Sequence, residues 1–143
     1  MNINEIMRDD VISCAPDDTI REVAMKMHRY DCGLVVVVEQ NGGRKPVGVI
    51  TDRDIVCRVV APGDDTEAVL AEEVMSKDLV NINYQATVNA ATHLMKQHRL
   101  RRLIVTSDMG EVLGVVSLTD LASVVADKKL GAVVQDLATR YLR

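Results

Sequence analysis

Apolar positions along this chain keep one rhythm and then repeat it. From Ile20 onward, Val23, Ala24 and Met27 recur at helical spacing and define one face of a helix. Thr19 and Glu22 stand three apart at its start, the spacing of a capping box. The aliphatic run Leu34 to Val38 reads as a buried strand, and Val47 to Thr51 as a second strand. Asn41-Gly42-Gly43 signals the hairpin between them. A short strand over Val11 to Cys14 precedes the helix, and a closing helix with Ile55, Val56, Val59 and Val60 apolar comes last. The predicted unit is βαββα, ended by Ala61-Pro62-Gly63-Asp64-Asp65.

The unit is then written a second time. Glu5-Ile6-Met7 returns as Glu73-Val74-Met75, an offset of 68 residues, which also carries Thr19-Ile20 onto Thr87-Val88 and Met27 onto Met95. Beyond the hairpin, Gly48-Val49-Ile50-Thr51 matches Gly114-Val115-Val116-Ser117 at an offset of 66. The two lost residues fall in the Glu39 to Pro46 loop, where a length change costs least. The second copy predicts a strand over Leu79 to Ile82 and a helix with Val88, Ala91, Thr92 and Met95 inward. Thr87 caps that helix, with Ala90 in place of the acid. Leu103 to Val105 and Val112 to Ser117 are its later strands, and Leu121, Val124 and Val125 mark its closing helix.

A βαββα unit of about 60 residues buries too little surface to be stable by itself. The expectation is therefore an α/β (α+β) fold in which two such repeats pack sheet to sheet with pseudo-twofold symmetry and leave two related clefts. The expected boundaries are 1–60 for the first repeat, 61–69 for a linker, 70–127 for the second repeat and 128–143 for a C-terminal helix.

The chain has 143 residues with neither Phe nor Trp, so its core must be aliphatic. Its net charge of −4 lacks the basic excess of a nucleic-acid binder, and three tyrosines give little aromatic surface for stacking bases. No apolar h-region stands after Met1, and no apolar run is long enough to span a bilayer, so a cytoplasmic location and no membrane partner are expected. Cys14, Cys32 and Cys57 have no paired spacing, which suits reduced thiols better than a metal site, and no metal is expected. No P-loop, GxGxxG or nucleophile with a base is visible, so the chain is expected not to be an enzyme.

The repeated motifs resemble tandem cystathionine-β-synthase (CBS) domains, the Bateman module. The resemblance covers residues 3–127. Its sharpest motif, G-h-x-[ST]-x-[ST]-D, is complete in Gly114-Val115-Val116-Ser117-Leu118-Thr119-Asp120. The first copy reads Gly48-Val49-Ile50-Thr51-Asp52-Arg53-Asp54, with Arg53 at the second hydroxyl. Arg101-Arg102-Leu103-Ile104-Val105 is similar to the family's basic-basic-Leu-Pro-Val run, with Ile104 where Pro is usual.

The resemblance implies a regulatory module whose ligand is an adenosine nucleotide of the AMP, ADP, ATP, NAD or S-adenosylmethionine type, with no required cofactor. Asp120 would accept hydrogen bonds from a ribose diol, with Ser117 and Thr119 adding hydroxyls on the same turn. Ser, Thr and Asp are also the commonest helix-capping residues, so the isolated motif reads equally as a cap. Thr51, Arg53 and Asp54 are the first-copy counterparts. Arg101 and Arg102 offer planar forks for phosphate. Being adjacent on a strand, they point to opposite faces, and the first copy has Gly33-Leu34 in their place.

The adenine wall, in the family, comes from the first strand and the residues just after it: here Ser13, Cys14 and Ala15, and Asn81, Ile82 and Asn83. Core packing explains Cys14 and Ile82 equally well. The resemblance further implies a homodimer, with Val59, Val60, Val124 and Val125 as contacts, and an effector protein that reads the ligand. A ligand-free structural or partner-binding scaffold is the alternative, with a metal-binding CBS protein behind it, because fold alone does not decide function. On the ligand reading, Asp120→Ala is expected to abolish nucleotide stabilisation and leave the apo fold intact.

Overall fold

The computed structural model describes residues 1–41, 43–124 and 131–135. After a 3-10 turn at Ile3–Glu5 the order is β1 (Ser13–Cys14), α1 (Ile20–Tyr30), β2 (Leu34–Val38), β3 (Pro46–Thr51) and α2 (Asp52–Ile55). The helix α2 continues as a π-helical turn over Val56–Val60. Next come α3 (Ala71–Val74), β4 (Asn81–Asn83), α4 (Val88–His98), β5 (Arg102–Thr106), β6 (Val112–Ser117) and α5 (Leu118–Leu121). Residues 131–135 are helical. Val125 and, of the expected C-terminal segment, residues 128–130 and 136–143 lie outside the described residues.

Both copies build the same sheet. β1 runs parallel to β2 and β2 antiparallel to β3, with Leu34 opposite Thr51 and Val37 opposite Gly48. β4, β5 and β6 repeat this with Arg102 opposite Ser117 and Val105 opposite Gly114. Each hairpin slips register at one equivalent step, Val37/Val38 and Val105/Thr106. The irregularity ends the ladder just before the turn.

Local chemistry explains the helices. Thr19 Oγ1 accepts from the Glu22 amide at 3.2 Å, and Glu22 Oε2 accepts from the Thr19 amide at 3.1 Å, the reciprocal box the sequence predicts. Thr87 accepts from the Ala90 amide at 3.1 Å with no acid returning the bond. Both helices end on a left-handed residue, Asp31 at φ 49° and Arg99 at φ 55°. Alternation then sorts the strands. Val35, Val37 and Ile50 join Ile20, Val23, Met27, Ile55 and Val59 in one aliphatic core. Leu103, Val105 and Val116 join Val88, Ala91, Met95 and Leu121 in the other. Each such Val, Leu, Ile or Met side chain contributes about 1.5–3 kcal/mol by leaving water.

The chain divides into two compact units that do not match the linear boundaries. One unit is Val11–Leu79; the other joins Met1–Asp10 to the residues from Val80 onward. The lead-in of each repeat is thus packed with the other repeat's sheet. Ile3 N–H donates to Ala86 at 2.8 Å, and Arg8 and Val115 exchange backbone bonds of 2.9 Å each. In the matching unit Ala71 N–H donates to Asp18 at 2.8 Å, and Val49 and Ser76 exchange bonds of 3.0 and 2.9 Å. Ile3 and Ala71, both fully buried, plug the two cores. The repeats in sequence and the units in space are therefore offset by one lead-in segment.

Candidate functional site

The motif candidates Thr51, Arg53 and Asp54, and Arg101, Arg102, Ser117, Thr119 and Asp120, gather at one end of each sheet, where the last strand turns into a short helix. In the second repeat, Ser117 is the cap of α5 and Asp120 its third residue. Asp120 Oδ2 accepts from the Ser117 amide and from the Ser117 hydroxyl, both at 2.8 Å, and the Asp120 amide donates to Ser117 Oγ at 3.2 Å. This locks the carboxylate in one orientation. Its side chain is 12% exposed, and Oδ1 faces Arg8 Nε at 3.4 Å. Leu118 N–H donates to the Arg101 carbonyl at 2.8 Å, which brings the start of β5 to the same corner. Arg101, Arg102 and Thr119 are at least partly exposed there.

The first repeat builds the corner in the same way. The Thr51 amide donates to Asp54 Oδ2 at 2.9 Å, and the Asp54 amide donates to Thr51 Oγ1 at 3.1 Å. Asp52 N–H donates to the Gly33 carbonyl at 3.1 Å, the counterpart of Leu118 and Arg101. The cation differs in origin. Arg58 Nη2 lies 3.7 Å from Asp54 Oδ1, while its Nη1 donates to the Val74 carbonyl at 2.7 Å. Arg53 is exposed, with its amide held by Asp52 Oδ1 at 2.9 Å.

Each aspartate thus has an arginine, from positions that are not equivalent in the repeat. Arg8 corresponds to Ser76, and Arg58 to Val124. The sequence reading missed both arginines. Arg8 sits next to Met7 in a repeated motif, a visible signal, but its proximity to Asp120 arises only from the exchange of lead-in segments.

The first-strand candidates lie elsewhere. Ser13 pairs with Val36 and Cys14 with Val37, two and three residues along β2 from the Leu34–Thr51 row. Asn81 pairs with Ile104 and Asn83 with Thr106, at the hairpin end of that sheet. At about 3.3 Å per residue, Asn83 is set back about 13 Å along the strand direction from the Ser117 row. Its side chain secures a turn: Nδ2 donates to Asp108 at 2.8 Å and Oδ1 accepts from Gln85 N–H at 2.9 Å. Ile82 and Cys14 are buried members of the two cores. The Ser13 carbonyl accepts from Lys26 Nζ at 2.7 Å, and Ala15 N–H donates to Asp18 Oδ2 at 2.9 Å. Burial, with the Asp18 carboxylate second and Lys26 opposing, pushes the Cys14 thiol up to about 11.

One expectation needs correction. Val59 is fully buried in its own core and is not a surface for a second copy; Val56 and Val60, on the other side of the same turn, are 56% and 57% exposed. Asp120 accepts both Ser117 bonds, so its carboxylate also closes the cap of α5. The three cysteines are free thiols, buried at Cys14, partly exposed at Cys32 and exposed at Cys57. Among the described residues no group of three or more His, Cys, Asp or Glu side chains is placed to hold a metal ion, and no helix is long and apolar enough to cross a membrane.

Two βαββ sheets of identical register, each ending in a hydroxyl–carboxylate corner, define a tandem module of the Bateman kind. The CBS domain family matches the chain twice, over residues 3–61 and 71–127, and the chain belongs to that family. It is 39% identical over 121 residues to the CBS domain-containing protein YhcV of Bacillus subtilis, covering 85% of this chain and 83% of that one. It is 35% identical over 124 residues to an uncharacterized protein of Methanopyrus kandleri, covering 87% of this chain and 62% of the relative's length. Among solved structures, a CBS domain protein of Pyrobaculum aerophilum complexed with AMP is similar at a TM-score of 0.77 and 28% identity, over 97% of this chain and 99% of that one.

Proposed function

We propose that this CBS pair is a regulatory module, not a catalyst, and that it binds an adenosine nucleotide of the AMP type at the Ser117–Asp120 corner. The observation that carries the reading is the fixed Asp120 carboxylate. Oδ2 is committed to Ser117, and Oδ1 lies 3.4 Å from Nε of the mostly exposed Arg8. A carboxylate oxygen has two acceptor directions, so Oδ1 has capacity for a ribose hydroxyl beside the arginine. Thr119 supplies a further hydroxyl, and Arg101 and Arg102 supply positive charge where a phosphate needs it. The AMP complex of the Pyrobaculum aerophilum relative supports the ligand class. The Thr51–Asp54 corner is a weaker site, because Arg58 is already tied to Val74.

The proposal extends to a cytoplasmic location, a homodimer that uses the exposed pair Val56 and Val60, and an effector protein that reads occupancy. No cofactor beyond the nucleotide is part of it. A thermal-shift panel of AMP, ADP, ATP, NAD and S-adenosylmethionine tests the reading, since a ligand that binds only the native state raises Tm. At a hundredfold excess over Kd the gain is about 2.7 kcal/mol. No shift with any of the five at millimolar concentration overturns it in favour of a ligand-free scaffold.

A further inference from the structure

We infer that Arg8, on the lead-in of the first repeat, contacts the phosphate of the nucleotide held by the second repeat. The inference rests on the nucleotide reading above and assigns a residue that the repeated motif does not contain. Arg8 is fixed at the corner by its backbone: it exchanges two 2.9 Å bonds with Val115, two residues before Ser117. Its carbonyl lies against Gly114, where an added Cβ would stand 2.5 Å from the oxygen, so the segment cannot shift outward without losing the strand contact.

From this anchor the side chain reaches Asp120 through Nε alone, at 3.4 Å. A guanidinium has five N–H donors in a rigid fork. The contact with Asp120 uses the Nε edge, and no described side chain is bonded to its two Nη groups. The side chain is 69% exposed. An arginine held beside a ribose-binding carboxylate, with its Nη fork open to water, suits a phosphate on the same ribose.

The first repeat supplies the contrast. There the arginine beside the aspartate is Arg58, whose Nη1 is bonded to the Val74 carbonyl at 2.7 Å. The position that matches Arg8 is Ser76, which has no charge to offer. That corner also carries Asp52, whose Oδ2 would lie 3.3 Å from a Cβ on Gly33, at the place where the second repeat has Arg101. A carboxylate there repels phosphate. The two corners share their backbone but differ in phosphate chemistry, and Arg8 against Ser76 is one of the differences, beside Arg101 against Gly33 and the added Asp52.

The test is calorimetric titration of the full chain with AMP and with adenosine, in the parent, Arg8→Met and Arg8→Lys. The Arg8 side chain is mostly exposed, and its backbone bridge to Val115 does not depend on it, so both variants should fold. Loss of a charge-assisted phosphate contact should weaken AMP about tenfold or more in Arg8→Met while adenosine changes less than about twofold. Arg8→Lys should recover part of the AMP affinity. An equal loss for both ligands would make Arg8 a support for Asp120 and overturn the inference. Unchanged AMP affinity, or tighter binding of both ligands because Arg8 had competed for Asp120, would also overturn it and leave the nucleotide reading standing. A parent that binds neither ligand removes both.

Discussion

Met75 lies directly over Gly48: a Cβ built on the glycine would stand 2.6 Å from Met75 Cγ and 2.8 Å from its Cβ. At the matching place in the other unit, a Cβ on Gly114 would stand 2.5 Å from the Arg8 carbonyl oxygen and 3.0 Å from Met7 Sδ. The glycine that opens each G-h-x-[ST] motif is there to let a lead-in segment lie against the sheet. Gly48→Ala and Gly114→Ala should each cost about 1–3 kcal/mol by overpacking. Both substitutions meet an atom that side-chain rotation cannot clear, the Arg8 carbonyl oxygen in one unit and Met75 Cβ in the other, each beside a backbone bridge to the sheet. Urea unfolding of the two variants checks the loss.

Asp120 and Ser117 serve the fold before any ligand arrives. Ser117→Ala removes the cap and should cost about 1 kcal/mol. Asp120→Ala should cost a similar amount in the apo protein and also remove the nucleotide-induced rise in Tm, which Ser117→Ala should only reduce. Thermal melts with and without AMP separate the two effects. An Asp120→Ala protein that gains as much from AMP as the parent would take the carboxylate out of the site.

Arg58 and Arg8 should differ in their worth to stability. Arg58 donates to the Val74 carbonyl at 2.7 Å, a bond between α3 and the turn after α2, and its removal leaves a backbone acceptor short of its partner. Arg58→Met should lower unfolding free energy by about 1 kcal/mol, whereas Arg8→Met should change it by less than about 0.5 kcal/mol. Denaturant midpoints at constant m-value make the comparison.

The thiols predict both reactivity and a pH dependence. Cys14 is buried and holds its proton to about 11, while Cys57 is exposed. Iodoacetamide at about pH 8 should label Cys57 first and Cys14 only on unfolding, as the thiolate is the reacting form. A raised pKa in the folded state favours the protonated form. The Cys14 contribution to stability is therefore complete below the ordinary value of 9.0 and is lost as pH rises through about 11. The parent should lose stability in that window more steeply than Cys14→Ala; parallel curves would assign the loss to other groups.

Much of this was legible along the chain. The period of α1, the Thr19–Glu22 box, the lone Thr87 cap and the two hairpins depend on residues within a few positions of one another, where sterics and hydrogen bonding act directly. The Asp120 and Asp54 corners were legible for the same reason, since Ser117–Asp120 and Thr51–Asp54 are boxes closed over one helical turn. The capping role and the binding role were indistinguishable in sequence because both draw on the same oxygens. The π-helical turn at Val56–Val60 was not legible, and with it the sidedness of Val59 against Val60. The apolar pattern there does not tell which valines face in until the turn's winding is known.

The repeat, its elements and the chemistry at each strand-to-helix corner follow from the order of residues, because contacts between near neighbours set them. That Met1–Asp10 lies with the second repeat and the segment ending at Leu79 with the first emerges only in the folded chain. Edge-strand pairing is made by backbone groups that every residue carries, so the side chains of a lead-in do not announce which sheet it joins. Arg8 meets Asp120 across 112 positions for that reason, and no local pattern records the meeting.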